Sequence, residues 1–114
     1  MEIIGLNKLE KLRRKNRGNL KLSHEIDKLI KDLKKNDLDN REKLKEIRPD
    51  ADLVHNDGIY IFNINVHRTM ILIEFEGNGE ASIIWCGSHD EYEITFKNNK
   101  TTIKKWLREK GFIL

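Results

Sequence analysis

"IYIFNINVHRTMILIEFEGNGEASIIWC", residues 59–86, dictates the architecture of this chain. Three runs rich in β-branched and aromatic residues, "IYIFNI", "HRTMILIEFE" and "EASIIWC", are separated by short turns, and Gly77-Asn78-Gly79 is typical of a hairpin. The centre of the second run, Met70 to Ile73, is apolar at successive positions, as in a strand covered on both faces. The pattern predicts an antiparallel meander of three strands.

Helical periodicity precedes these strands. Three leucines share one face of "GLNKLEKLRRKN", and Leu and Ile residues recur at helical spacing along "LKLSHEIDKLIKDLKK". The segment "NDLDN", residues 36–40, ends the second helix, and Asp39 or Asn40 is a candidate cap for a short third helix, "REKLKEIR". The Arg48-Pro49 step ends that helix. Because the connections are short, we expect the helices to pack as an antiparallel pair.

The two ends of the chain complete the predicted fold. "EII" near the start is compatible with a short strand, and "NNKTTIKKWLREKG" predicts a closing helix with Ile103, Trp106 and Leu107 buried and Gly111 at its C-cap. The result is an α+β fold of one domain, residues 1–114. Its N-terminal helices pack on one face of a small antiparallel sheet, and a C-terminal helix follows.

Length and composition exclude several protein classes. The chain has 114 residues, which fits one domain with one core. Its apolar runs are short, so we expect no membrane span, and the first residues carry both charge signs, unlike a signal peptide. A single cysteine, Cys86, excludes an internal disulfide and a multi-cysteine zinc site. We therefore expect a cytoplasmic protein.

The net charge of +3 conceals an uneven distribution. Residues 1–48 carry a net charge of +6, residues 49–96 carry −8, and residues 97–114 carry +5. Basic segments attract nucleic acid at long range. The alternative is that they are ordinary solvated helix faces.

Several short motifs follow one another between residues 30 and 96. They are Ala51-Asp52 with Val54 and Asn56, then Phe62-Asn63-Ile64, then the strand after His67-Arg68, and finally His89 with Glu91-Tyr92. In this order and at these spacings they resemble the HigB-type toxins of bacterial toxin–antitoxin modules, within the wider RelE-like group. The resemblance implies a microbial-type ribonuclease fold that cleaves messenger RNA, generally in the ribosomal A site, without a cofactor. It also implies control by an antitoxin, commonly a HigA-like protein with a helix-turn-helix domain.

The chain departs from that family at two places. Many members follow the turn with Asn-Lys-Tyr-Arg-Leu-Ile, where this chain has His67 to Leu72. Arg68 can replace the family's Lys as a cation, but the family's Arg falls on Met70, so one positive charge is missing. The C-terminal helix also extends beyond the end of many relatives. It either covers one edge of the sheet or adds a basic surface that faces RNA.

RNA cleavage by a 2′-hydroxyl needs a group that takes the proton and a group that stabilises charge on the phosphate, but no metal. His89, in a predicted loop after the third strand, is the candidate proton-transfer residue; alternatively, it caps a turn. Arg68, the only cation between Pro49 and Lys97, is the candidate phosphate clamp; alternatively, it pairs with a carboxylate. Tyr92 either contacts phosphate or base, or packs against the last helix.

Other residues are weaker candidates. His55 precedes a turn and either takes part in catalysis, as a His near this part of the sheet does in some RelE-like nucleases, or caps that turn. His67 is expected on the sheet face opposite to Arg68. Cys86 is expected to share a face with Ile84 along the third strand.

The acids that follow His89 have several possible roles. Asp90 and Glu91 either act as a base, orient His89, or are solvated loop residues. Three consecutive residues do not readily converge on one ion, so we predict no metal site.

Basic residues near both ends are candidates for gripping the RNA backbone without sequence preference. They are Lys97, Lys100, Arg13, Arg14 and Arg17. The alternative is that some of them only keep the chain in solution.

Three classes of function fit these observations. The preferred one is a toxin that cleaves messenger RNA on the ribosome. The second is a toxin of the same fold that binds a protein target, such as a gyrase poison, and cleaves nothing. The third is a nucleic-acid-binding or regulatory module without toxicity.

Overall fold

A computed structural model of the protein describes residues 1–35 and 37–114. Asn36, the first residue of the predicted break after the second helix, lies outside the described residues. No helix in the described part of the chain is long and apolar enough to cross a membrane. In chain order the elements are β1 (Glu2–Ile4), α1 (Leu6–Lys15), α2 (Leu20–Lys35), α3 (Arg41–Ile47), β2 (Asp52–His55), β3 (Ile59–Ile64), β4 (His67–Glu74), β5 (Glu80–Ser88), α4 (His89–Phe96) and α5 (Lys100–Glu109).

The strands form one sheet in the order β1-β5-β4-β3-β2. β2, β3, β4 and β5 pair with one another in antiparallel fashion, as the predicted meander requires, and β1 adds to β5 in parallel. The α+β prediction is confirmed, including the short N-terminal strand. The sheet is larger than predicted because Asp52–His55, which the sequence pattern left unassigned, pairs with β3 as an edge strand.

The N-terminal helices cover one face of the sheet. The apolar stripes of α1 and α2 pack there against alternate residues of β3, β4 and β5, among them Phe62, Ile71 and Ile83. Each large side chain buried in this way contributes about 1.5–3 kcal/mol relative to an exposed one. The prediction that the N-terminal helices pack on one face of the sheet is therefore confirmed.

The C-terminal helices cover the other face. Phe96 of α4 and Ile103 and Leu107 of α5 are buried against Ile61 and Met70 of the sheet. The strand that was predicted to be apolar on both faces, β4, is therefore covered on both. Of the two roles considered for the C-terminal helix, covering the sheet agrees with this packing, but the helix covers a face rather than an edge.

The prediction of a loop after the third strand was wrong. β5 continues to Ser88, and His89 is the first residue of an eight-residue helix, α4. The Ser88 hydroxyl accepts a hydrogen bond from the Glu91 N–H, and the Glu91 carboxylate accepts one from the Ser88 N–H. This capping box satisfies two helix-end donors and starts the helix abruptly at the end of the strand.

β5 also contains a bulge that changes which side chains share a face. Met70 and Ile71 of β4 pair with Trp85 and Ile83 of β5, so Ile84 is an extra residue between these two partners. Ile84 and Trp85 therefore both pack on the α4 and α5 side. Cys86 packs on the α1 side, where its thiol donates to the carbonyl of Lys8 over 3.3 Å. The expectation that Cys86 shares a face with Ile84 was wrong for this reason.

Gly5 determines how α1 lies along β5. Its φ is +85°, a left-handed conformation that favours glycine. A Cβ at this position would lie 2.9 Å from the carbonyl oxygen of Ile83. The chain can therefore leave β1 and run beside β5 only because this residue has no side chain.

We predict that Ser88→Ala lowers the free energy of unfolding by about 1 kcal/mol, because it removes the cap of α4. Urea denaturation followed by circular dichroism measures this loss. Ser88→Thr is the control, since its hydroxyl also caps, and it should retain most of the stability. Equal stability of Ser88→Ala and the unmodified protein would contradict the role of the capping box.

Candidate functional site

Arg68 and Tyr92 meet on the sheet face covered by α4. Arg68 is the second residue of β4, and its guanidinium carbon lies 4.6 Å from the centre of the Tyr92 ring. A cation over an aromatic face is attracted by the ring's quadrupole. The planar, permanently charged guanidinium is therefore held in one place by the first turns of α4.

Tyr92 is only 2% exposed. Its ring packs against Trp85 of β5 and Phe96 of α4, in the same buried cluster as Ile103 and Leu107 of the last helix. This position agrees with the alternative in which Tyr92 packs against that helix. Burial raises the pKa of the Tyr92 hydroxyl, and the charge of Arg68 opposes that shift. In this position Tyr92 supports Arg68 rather than presenting its hydroxyl to solvent.

A glycine faces Arg68 across the sheet. Gly87 of β5 pairs directly with Arg68. A Cβ on Gly87 would lie 2.9 Å from two carbons of the Trp85 indole and 3.3 Å from a Glu91 carboxylate oxygen. The missing side chain thus leaves room beside Arg68 for the indole and for the Glu91 carboxylate.

His89 and His67 lie at the same end of the sheet as Arg68. His67 begins β4 and pairs with Ser88, and the N–H of His89 donates to the carbonyl of Val66 over 3.1 Å. The expected alternation is present, because His67 lies beside residues of α1 and Arg68 packs against Tyr92 of α4. His89 stands where β5 passes into α4, close enough for its charge to affect the pKa of His67.

Burial lowers the pKa of His67, which is only 6% exposed. The negative charge of Glu91 opposes this shift, and the charge of His89 adds to it. The pKa of Glu91 is itself lowered, chiefly because its carboxylate accepts the Ser88 N–H. The two imidazoles and this carboxylate therefore form one electrostatic group.

Three polar atoms at this corner lack a hydrogen-bond partner among the described residues. They are Nε of Arg68, Nδ1 of His67 and Nε2 of His89. A buried polar group left without a partner costs about 1–3 kcal/mol. Three of the six such atoms among the described residues lie at this end of the sheet, and a bound ligand or ordered water is the usual partner of such a group.

A cleft runs along the outer edge of β5, beside α1, and we refer to it as the α1–β5 cleft. It exists because β1 pairs only with Glu80–Ser82, so the rest of β5 has no strand on that side in the described part of the chain. Its volume is about 490 Å³. The lining side chains include three lysines of α1, His67, Trp85, Cys86 and Glu91.

His55 and Lys100 lie elsewhere. His55 pairs with Ile59, which pairs with Leu72, and Leu72 is four residues along β4 from Arg68, about 13 Å. The Nδ1 of His55 accepts the Asp57 N–H over 3.1 Å, as the turn-capping alternative predicts. Lys100 lines a separate cavity beside His55, so neither residue joins the corner around Arg68.

The other predicted RNA-binding residues are dispersed. Arg13 joins α1 to α2, because its guanidinium contacts Ser23 and lies 2.6 Å from the Asp27 carboxylate. Arg14 and Arg17 are exposed. Lys97 is the left-handed C-cap of α4, at the opposite end of that helix from His89.

Sequence reasoning missed the lysines that line the α1–β5 cleft. Lys8, Lys11 and Lys15 follow one another at intervals of three and four residues, which places them along one stripe of α1. This spacing is visible in the sequence. What the sequence pattern did not provide was the neighbour of the stripe, because the parallel pairing of β1 with β5 was not predicted.

We predict that the pKa of His67 lies below the ordinary value near 6.5 and responds to both neighbours. Glu91→Gln should lower this pKa further by removing a negative charge, and His89→Ala should raise it by removing a like charge. NMR titration of the imidazole signals measures both shifts. Shifts in the reverse directions would contradict the proximity of the three groups.

The lowered pKa also predicts a pH dependence of stability. Below about pH 6.5 the unfolded chain binds a proton at His67 more readily than the folded protein does, so protonation favours the unfolded state. The free energy of unfolding should therefore decrease as the pH falls below this value. His67→Gln should therefore lose less stability than the unmodified protein between pH 7.5 and pH 5. Urea denaturation at the two pH values measures the difference, and equal losses would contradict it.

Comparison with known proteins identifies the family. A comparison with curated proteins finds no match. The family model for HigB toxin, described as the RelE-like toxic component of a toxin–antitoxin system, matches residues 22–95, well over half of the chain. That range includes β2 to β5 and most of α4, with Arg68, His89 and Tyr92. The chain belongs to the HigB toxin family of RelE-like toxins.

Proposed function

We propose that this toxin is an endoribonuclease that cleaves messenger RNA on the ribosome, in the cytoplasm. In the proposed reaction a 2′-hydroxyl attacks the adjacent phosphorus, the bond to the 5′-oxygen breaks, and a 2′,3′-cyclic phosphate forms. His89 transfers a proton to or from the reacting oxygens. Arg68 stabilises the charge that develops on the phosphate. The proposed chemistry uses protein side chains and no metal ion.

The observation that carries this proposal is the set of unpartnered nitrogens at one end of the sheet. Arg68 Nε, His67 Nδ1 and His89 Nε2 lie there on paired strands and the adjoining helix start. An arginine and imidazoles supply the three functions that phosphodiester cleavage needs: charge stabilisation, a base and an acid. The other unpartnered buried side-chain atoms among the described residues, Nε of Arg13, Nε of Arg48 and the hydroxyl of Tyr60, include no imidazole.

The two faces of the sheet do not prevent a shared ligand. Arg68 packs towards α4, but its neighbour across the sheet is Gly87, and His89 follows Gly87 by two residues. We propose that the phosphate binds at the end of the sheet, where β4 begins and β5 ends, rather than over one of its faces. Tyr92 then acts by holding the guanidinium and does not react.

Membership of the family implies a cognate antitoxin. We propose that this partner is a helix-turn-helix protein of the HigA type and that it blocks access to the corner around His89. The acidic segment, residues 49–96, offers a complementary surface for a basic part of such a partner.

A toxin that binds its target without cleaving RNA is the second candidate. Two observations favour it: Tyr92 is buried, and Met70, where many family members have Arg, is fully buried in the C-terminal core. This candidate predicts arrest of growth with intact messenger RNA.

We predict that His89→Ala lowers the rate of messenger RNA cleavage by about 10²–10⁴-fold, the usual contribution of proton transfer. Arg68→Ala should lower it by about 10²–10³-fold, as expected for loss of a charge-stabilising donor. Primer extension on a translated message, with purified ribosomes and protein, measures both rates. Cleavage should persist in the presence of EDTA.

His24→Ala and Arg41→Ala are matched controls, because both side chains are exposed and lie outside the corner. Both variants should cleave at the rate of the unmodified protein. Full activity of His89→Ala and Arg68→Ala would overturn the site, and intact message during growth arrest would support the second candidate.

A further inference from the structure

The α1–β5 cleft has the features of a groove for an extended anionic chain. Its lysines rise along α1 by about 4.5 Å from Lys8 to Lys11 and by about 6 Å from Lys11 to Lys15. This repeat is comparable with the separation of neighbouring phosphates along a nucleic acid strand. All three side chains are exposed, and no ion pair of theirs appears among the described contacts.

The deep part of the cleft contains a buried group that lacks a partner. His67 lines the cleft, is only 6% exposed, and its Nδ1 has no hydrogen-bond partner among the described residues. The exposed lysines and the unpartnered Nδ1 of His67 together are the features of a ligand-binding site rather than of a solvated helix face.

An aromatic side chain distinguishes the candidate ligands. Trp85 lines the same cleft, with its indole held against Phe96 at a centroid distance of 5.2 Å. Every base has a flat face that stacks on an indole, and such stacking contributes about 1–3 kcal/mol per base. An acidic protein segment would use the lysines but would gain much less from the indole.

The cleft also leads to the reactive corner. Ser88 and Glu91 line it, and His89 lies between them in the chain. The Glu91 carboxylate repels phosphate at this end. Phosphates therefore fit the Lys8–Lys15 portion, with a scissile bond beyond Glu91.

We propose that the α1–β5 cleft binds single-stranded RNA on one side of the cleavage point, with its phosphates on the three lysines and a base on Trp85. This inference rests on the proposed function, because it names the path of that substrate. It assigns RNA binding to lysines of α1 that are not among the basic residues predicted from the sequence near the N-terminus, Arg13, Arg14 and Arg17.

The test uses a fluorescent single-stranded RNA in which every ribose is 2′-O-methylated, so that it binds but cannot be cleaved. Fluorescence anisotropy should show that the triple variant Lys8→Ala, Lys11→Ala, Lys15→Ala binds at least about tenfold more weakly. The slope of log affinity against log salt concentration should fall by about 2, because each phosphate contact on a single strand contributes about 0.7.

The matched control is the triple variant Lys31→Ala, Lys34→Ala, Lys105→Ala. It has the same net charge as the cleft variant, and its altered positions are exposed on α2 and α5. Its affinity should stay within about twofold of the unmodified protein. Equal losses in the two triple variants would overturn the proposal, because binding would then depend on net charge alone. Polyglutamate that displaces the RNA at equal charge concentration would also overturn it, in favour of an acidic protein segment.

Cys86 provides an independent measurement, because it is the single cysteine of the chain and lines the cleft. Saturating RNA should slow its alkylation by iodoacetamide several-fold in the unmodified protein, as measured by mass spectrometry. The cleft variant, at the same RNA concentration, should show little protection. Absence of protection in the unmodified protein would overturn the proposal.

The outcomes separate this inference from the proposed function. If the protein binds RNA in the cleft but cleaves none, the proposed reaction is refuted and the proposed RNA-binding role of the cleft is supported. If it cleaves RNA while the cleft variant behaves like its control, the proposed reaction is supported and the proposed RNA-binding role of the cleft is refuted.

Discussion

The pairing of β4 with β5 is the interaction on which the rest of the structure depends. It places Arg68 beside Gly87 and His67 beside Ser88, and one more backbone hydrogen bond attaches the start of α4 to the turn before β4. The same pairing lies at the centre of the sheet, so both cores form against it. The proposed chemistry at this end of the sheet would thus be supported by strands that are packed on both faces.

Helices on both faces determine where a ligand can approach. An antiparallel sheet with one open face would offer that face to a ligand, but here α4 and α5 cover it and enclose Tyr92. The end of the sheet and the outer edge of β5 stay accessible. The proposed reactive corner and the α1–β5 cleft occupy these two adjoining positions.

Much of the fold could be predicted from periodicity, because helix and strand repeats record burial directly. The bounds of α2, the cap at Asn40 and the central strands agree with those predictions. Three features escaped: the edge strand β2, whose four residues are too few for a clear period; α4, whose Ser88 and Glu91 form a capping signature that went unnoticed; and the bulge at Ile84, which breaks strict alternation.

The candidate site was predictable in its residues more than in its arrangement. Arg68, His89 and Tyr92 were selected from residue chemistry and family resemblance, and they lie at one end of the sheet. His55 was grouped with them, although the strand order and direction separate it from Arg68. These are tertiary properties that the sequence pattern did not provide. The lysine stripe of α1 was overlooked for a similar reason, since its neighbour depends on the parallel pairing of β1.

The bulge in β5 has a dynamic consequence. Ile83 packs in one core and Ile84 in the other, so this strand is packed against side chains on both faces of the sheet. Local opening of the strand would expose both hydrophobic clusters at once, which ties its motion to complete unfolding. Amide protons of this segment that donate to β4 should therefore exchange with deuterium at the slowest rates in the molecule, and the adjoining end of the sheet should remain rigid.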